Sequence, residues 1–149
     1  MILEKLKQLG ISLPPVNPPL ASYIPAKKSG NLLFISGQLP LKDGKLLVTG
    51  PMTPERNQDE VRDAMAQCFL NGLASATTVC SLEDIQGVVR LGAFVSSAEN
   101  FYEQHKIANG ASDLSQKIFG DSGIHSRSAV GVPSLPMNAT VELEIIFQL

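Results

Sequence analysis

The feature that most constrains this chain is a junction of two periodicities. Residues 52–80 read MTPERNQDEVRDAMAQCFLNGLASATTVC, and residues 84–96 read DIQGVVRLGAFVS. In the first stretch Val61, Ala64, Met65, Cys68, Gly72, Leu73 and Ala76 recur at helical spacing and share one face, which must bury. Thr53 is placed to cap the helix, Pro54 suits the first helical position, and Glu55 complements the helix dipole. In the second stretch Ile85, Val89, Leu91, Ala93 and Val95 alternate with Gln86, Val88, Arg90, Gly92 and Phe94, the pattern of a strand with two unlike faces. A long helix feeding a long strand calls for a layered fold.

The flanking segments supply the remaining layers. YIPAKKSGNLLFISGQLP reads as two short strands turning at Ser29-Gly30-Asn31, and KDGK makes a further turn. A second helix falls within Gln104–Phe119; Gly110 blurs its start and Gly120 suits its C-terminus. A turn at Leu135–Asn138 joins two final strands as an antiparallel hairpin. The order β-β-α-β-α-β-β predicts an α+β fold, a mixed sheet with two helices packed on one face. The 149 residues form a single domain, with no internal repeat.

At the N-terminus MILEKLKQLG spaces Ile2, Leu3, Leu6 and Leu9 as a short amphipathic helix. Pro14, Pro15, Pro18 and Pro19 then make an extended connector, so residues 1–20 form a helix and a proline-rich arm. The arm either packs on its own domain or serves as a ligand for a proline-binding module.

Composition excludes several classes. Charged residues are 17% and hydrophobic residues 44%, which is globular and low in charge, a hint of surface buried against a partner. The net charge of −2 and the absence of any basic run beyond Lys27–Lys28 argue against nucleic-acid binding. No apolar run approaches the roughly 18 residues of a membrane span, and Lys and Glu interrupt the N-terminal apolar residues, unlike a secretory signal. The expected location is cytoplasmic. Cys68 and Cys80 have no neighbouring His or Cys and read as reduced, structural thiols; no residue cluster has metal-ligand spacing.

The chemistry concentrates in HSRSAVGVPSLPMNATVELE, residues 125–144. In the hairpin register Glu142 sits opposite Gly131 and Glu144 opposite Ala129, with Arg127 on the same face. Val130, Val132, Val141, Leu143 and Ile145 form the other face and meet the helices. Arginine offers a planar fork for a carboxylate, and a glutamate can hold and activate a water. The small residues between them leave room for a ligand; the alternative is a solvated face with an ordinary ion pair. His105 and His125 are the only histidines, and neither has an orienting partner evident in the sequence. Ser36, Ser126 and Ser128 lie in no nucleophile motif. Arg90 reads as an interface or surface residue.

SGNLLFISGQLP, LEDIQGVVRLGAFVSS and HSRSAVGVPSLPMNATVELE together resemble the RidA/YjgF/L-PSP (Rid) family, from Tyr23 to the C-terminus. NGASDLSQKIFG and HSRSAVGV resemble its endoribonuclease-like subgroup. The resemblance implies a chorismate-mutase-like fold and a homotrimer with clefts between subunits. It also implies hydrolysis of enamine and imine intermediates such as 2-aminoacrylate to 2-keto acids and ammonia, with no metal or cofactor. By the same resemblance Arg127 is the carboxylate-binding arginine, and Glu142 positions the attacking water. Tyr23, Ser36 and Gly37 line the cleft, Gly37 through its N–H, and Asn109 matches a helix asparagine. Ala129 stands where the best-known members carry cysteine. Two rivals remain: a trimer that only binds a 2-keto acid, and an endoribonuclease.

Overall fold

The computed structural model describes all 149 residues. In chain order it contains α1 (Ile2–Gln8), β1 (Ala26–Ser29), β2 (Leu32–Gln38), β3 (Leu41–Lys42), β4 (Lys45–Leu46), α2 (Gln58–Ala76), β5 (Gly87–Ser96), α3 (Gln104–Phe119), β6 (Ser126–Val132) and β7 (Val141–Gln148). The main sheet has the order β1-β2-β7-β5-β6, and β3-β4 form a separate two-stranded ribbon. All pairs in the main sheet are antiparallel except β5 with β6. Parallel neighbours need a long crossover, and α3 supplies it. The expected α+β architecture with two helices on one sheet face is the observed one.

The predicted helical face of α2 is fully buried from Val61 to Ala76. The helix starts later than expected, however, with Asn57 as its cap, accepting from the Asp59 N–H at 2.8 Å. Thr53, Pro54 and Glu55 lie before it. Arg56 explains the difference. Its guanidinium donates to the carbonyls of Thr49, Gly50 and Pro51, pinning this segment to the preceding loop instead of extending the helix. The second helix runs Gln104–Phe119, and Gly120 follows it at φ 62°, as its position predicts. Gly110 lies inside that helix instead of at its start. A Cβ at Gly110 would collide with the Arg62 backbone carbonyl, so glycine here sets the close approach of α3 to α2.

The final hairpin does not exist. β5 lies between β6 and β7, pairing parallel with one and antiparallel with the other. The physical reason is legible in burial: β5 is covered on both faces along most of its length, whereas in β6 Ser126, Ser128, Val130 and Gly131 are exposed and no residue is fully buried. A strand apolar on both sides takes a central place, and a half-exposed one takes an edge. The Leu135–Asn138 turn is present as a 3-10 turn at Pro136–Asn138, but it carries the chain past the end of β5. In β5 itself a bulge between Val88 and Arg90 breaks the alternation, so Val88 is buried and Val89 is exposed, the reverse of the expected faces.

The core lies between the helices and one sheet face, where Phe69 and Phe147 meet edge to face at 6.0 Å. The N-terminal helix buries Ile2 and Leu6, while Leu3 and Leu9 stay exposed. Its first N–H groups are held by the Glu83 carboxylate, at 3.0 Å from Ile2 N and 3.1 Å from Leu3 N. The arm packs on its own domain through Ile11 and Leu13. Both cysteines are free; burial pushes the Cys68 thiol well above its usual range, with the Glu142 charge adding to the effect. No helix is long and apolar enough to cross a membrane.

Candidate functional site

The register places the candidate residues on two opposite faces of the sheet. Arg127 pairs with Leu91, and Leu91 pairs with Ile145. Residues paired across strands share a face, so Arg127 lies on the helix-covered side. Ala129 follows it there, packed against the core. Glu142 instead pairs with Phe94, whose other partner is Val130. Glu142 therefore lies on the open side with Glu144, Arg90 and Ser128. The shared face predicted for Arg127, Ala129, Gly131, Glu142 and Glu144 is thus wrong. The error follows from pairing β6 with β7, since a change of partner strand reassigns every side chain.

On the helix side Arg127 meets α3. Its Nη1 donates to Asn109 Oδ1 at 2.8 Å and to Ser112 Oγ at 3.0 Å, and its Nη2 donates to the His105 carbonyl at 3.2 Å. Asn109 and Ser112 are three residues apart and therefore share a helix face. No carboxylate lies within 4 Å of the guanidinium, because the chain's three ion pairs are Arg56–Glu60, Arg62–Asp59 and Lys106–Glu103. Of the five guanidinium N–H groups three are engaged, leaving Nε–H and one on Nη2. Those are the donors of a fork that a carboxylate can accept. The groove beside them is lined by Asn109, Ser112, Asp113, Gln116, Ile124, His125 and Arg127.

On the open side a cavity of about 540 Å³ is lined by Leu20, Tyr23, Ser36, Gly37, Pro136 and Glu142, among others. A bulge between Ile35 and Gln38 displaces Ser36 and Gly37 from regular pairing with β7. The Glu142 carboxylate lies over Gly37, where any Cβ would collide with it. Partial burial raises the Glu142 carboxyl above the usual carboxylate range, and the Glu144 charge raises it further. A carboxylate so disfavoured is a better proton acceptor toward a bound water. Ser36 donates its hydroxyl to the Ile24 carbonyl at 2.6 Å, so its role in the wall is partly structural. The Tyr23 hydroxyl accepts from the Leu20 N–H at 3.3 Å and keeps its own proton free to donate.

The structure brings Tyr23, Ser36, Gly37 and Glu142 together, and separately Arg127 and Asn109, while Ala129 packs against the core outside the Arg127 groove. Arg90 donates to Ser128 Oγ at 3.2 Å on the open face. Missed from the sequence were Ser112, which the three-residue spacing from Asn109 could have revealed, and Leu20, which the arm delivers to the Glu142 cavity. His125 does have orienting partners: Nδ1 lies 2.6 Å from the Gly123 carbonyl and Nε2 lies 2.9 Å from Ser112 Oγ. No group of three His, Cys, Asp or Glu side chains converges as metal ligands.

Residues 4–149 match the family described as "YjgF/chorismate mutase-like, putative endoribonuclease". The chain belongs to this family. Among relatives of this chain, protein TCP17 of Trypanosoma cruzi is 37% identical, covering 99% of this chain and 94% of its own. A 2-iminobutanoate/2-iminopropanoate deaminase of Dermatophagoides farinae is 31% identical, with 91% and 92% covered. A Shewanella oneidensis MR-1 structure carrying the same endoribonuclease description superposes with a TM-score of 0.94 at 31% identity, covering 100% of this chain and 99% of its own. The YjgF fold therefore extends over the N-terminal helix and arm as well.

Proposed function

We propose that this YjgF-family protein hydrolyses enamine and imine intermediates of the 2-aminoacrylate type to 2-keto acids and ammonia. We further propose that each cleft is completed by a second copy of the chain in a homotrimer. The observation that carries this is the division of the candidate site. Arg127 presents unpaired fork donors on one face, Glu142 presents a strained carboxylate on the other, and one sheet separates them. Only a neighbouring chain can set one beside the other. The open face also exposes Phe34 and Val130 between its charges, a surface suited to burial against another copy.

The chemistry follows from the two halves. Arg127 anchors the substrate carboxylate through two parallel hydrogen bonds. Glu142 takes a proton from a water as its oxygen bonds to the imine carbon and passes that proton to nitrogen, giving a neutral carbinolamine. It then takes the proton of the carbinolamine hydroxyl and delivers it to nitrogen as the carbon–nitrogen bond breaks and the carbonyl forms, so water and imine become ketone and ammonia. Desolvation of Glu142 supports this base role, and the proton-donating Tyr23 hydroxyl suits a developing lone pair on the substrate. The deaminase name of the Dermatophagoides farinae relative supports the same reaction class.

The test is ammonia release from 2-aminoacrylate generated in the assay. We expect turnover by the wild type, no loss on chelation, and loss in Glu142→Gln. Keto-acid binding without turnover would instead favour a binding protein. RNA cleavage that follows the protein through purification and is lost in His125→Ala would favour an endoribonuclease.

A further inference from the structure

We propose that Ser112 and His125 are positioning residues that hold the Arg127 guanidinium for its carboxylate, linked as a one-directional hydrogen-bond relay. The proposal rests on the function assigned to Arg127 above. The relay can be followed proton by proton. The Gly123 carbonyl only accepts, so His125 Nδ1, 2.6 Å away, carries a hydrogen. In the neutral ring Nε2 is then an acceptor, and the Ser112 hydroxyl donates to it at 2.9 Å. With its proton directed to His125, Ser112 Oγ offers its lone pairs to Arg127 Nη1 at 3.0 Å. Arginine has no acceptor, so with His125 neutral no other direction satisfies all three contacts.

Two further features support a dedicated role. Ser112 is only 7% exposed, and its hydroxyl reaches out to β6 and the His125 segment instead of back to its own helix. His125 lies two residues before Arg127, so its ring approaches Ser112 from the same strand end that carries the guanidinium. Asn109 holds Nη1 from one turn earlier in α3. Together Asn109 and Ser112 fix both Nη1 hydrogens, which turns the Nε and Nη2 donors toward the groove.

Protonating His125 reverses one link. Nε2–H would then donate to Ser112, whose own proton would lose its acceptor, and a second cation would face Arg127. The charged groups lining the groove are Asp113 from α3 and Arg127 from β6, while Asp121 lies on the 3-10 turn between α3 and β6. Asp113 opposes the effect of the second cation only in part, because it forms no ion pair within 4 Å of Arg127.

The experiment uses the full-length protein, with pyruvate as the binding probe and 2-aminoacrylate as substrate. Ser112→Ala is close to isosteric and removes one charge-assisted bond of three, so pyruvate affinity should fall about 10-fold. KM should rise by a similar factor with kcat nearly unchanged, since the carboxylate anchor acts equally in ground and transition states. Ser112→Thr keeps the hydroxyl and should recover most of the loss. His125→Gln, which keeps an acceptor for the Ser112 hydroxyl, should lose less pyruvate affinity than His125→Ala. Long-range proton–nitrogen spectra should show neutral His125 as the Nδ1–H tautomer. The Nε2–H tautomer, or Ser112→Ala with wild-type KM and pyruvate affinity, overturns the relay while leaving the deaminase intact. A wild type that neither binds pyruvate nor hydrolyses the imine overturns the functional assignment and the positioning role with it.

Discussion

The two halves of the candidate site solve opposite problems. The Arg127 groove is built from fixed partners: three hydrogen bonds to α3 hold the guanidinium, and the residues behind it are themselves bonded. The Glu142 cavity is built from exclusions. A glycine leaves room for the carboxylate, partial burial strips it of water, and a second glutamate repels it. A permanent cation can be satisfied by neutral acceptors and still attract an anion, so rigidity costs the groove nothing. A general base has to stay reactive, and a carboxylate tied down by donors would lose its affinity for protons. The contrast suits an anchor on one side and a proton carrier on the other.

The comparison breaks most readily through Arg127. Arg127→Ala and Arg127→Lys should stay folded, because the side chain is only partly buried where the edge strand β6 meets α3. Both should lose imine hydrolysis by about 30- to 1000-fold, since losing a charge-assisted partner costs roughly 2–4 kcal/mol and lysine offers no fork. Glu142→Gln should lose turnover to a similar extent while still binding pyruvate. Mixing the two inactive proteins after unfolding and refolding tests where the halves meet. In a random mixture about a quarter of interfaces pair an intact Arg127 with an intact Glu142 from different chains, so about a quarter of wild-type activity should return. No recovery, measured as ammonia release at equal protein, would place both halves within one chain and contradict the division by the sheet.

Gly37→Ala sharpens the Glu142 half. The new methyl would meet only the end of a flexible side chain, so the fold should lose little stability. The carboxylate would have to move, and a displacement near 1 Å can cost up to about 100-fold in rate. We expect about a 10-fold fall in kcat with pyruvate affinity preserved, because the anchor lies on the other face. A fall in affinity instead would mean that Gly37 contacts the carboxylate directly.

How much of this was legible in the sequence depended on whether a signal was local. The face of α2, the extent of α3, the first hairpin and the glycine after α3 are set by spacing and turn chemistry within a few residues, and these were found. The β6–β7 hairpin was misread because strand partnership is a long-range property: β5, which ends at Ser96, outcompetes β6, the neighbour in sequence, for β7 starting at Val141. The same error moved Arg127 onto the wrong face. The candidate residues themselves were found through the family resemblance, which needs no register. Val88 and Val89 exchanged roles because a bulge adds one residue that a strict two-residue period cannot show. Arg56 was read as helical because its carbonyl partners, Thr49 to Pro51, lie outside any helical spacing.

The smallest expected effect is the one that isolates the strain at Glu142. Its carboxyl titrates above the ordinary range in the folded chain, through burial first and Glu144 second. The folded state therefore holds the proton to higher pH than the unfolded chain does. Stability then falls as pH rises from the ordinary carboxylate value, about 4.3, through the raised one, because the folded state binds more protons over that range. Below it the group is neutral in both states and contributes no difference. Glu142→Gln removes the charge, so its stability relative to the wild type should be greater near pH 8 than near pH 4. Every other titrating group is common to the two proteins and cancels in the comparison, provided it does not itself sense Glu142. Glu144 and Cys68 both sense it: the burial that raises the Cys68 thiol keeps it protonated below pH 8, and Glu144→Gln in both backgrounds removes the other coupling. A variant equally destabilised at both pH values would mean that Glu142 holds the fold together, and the strained base would have to be sought elsewhere. A stability gain confined to the higher pH, together with lost turnover, would show that the chain keeps a charge it would be more stable without.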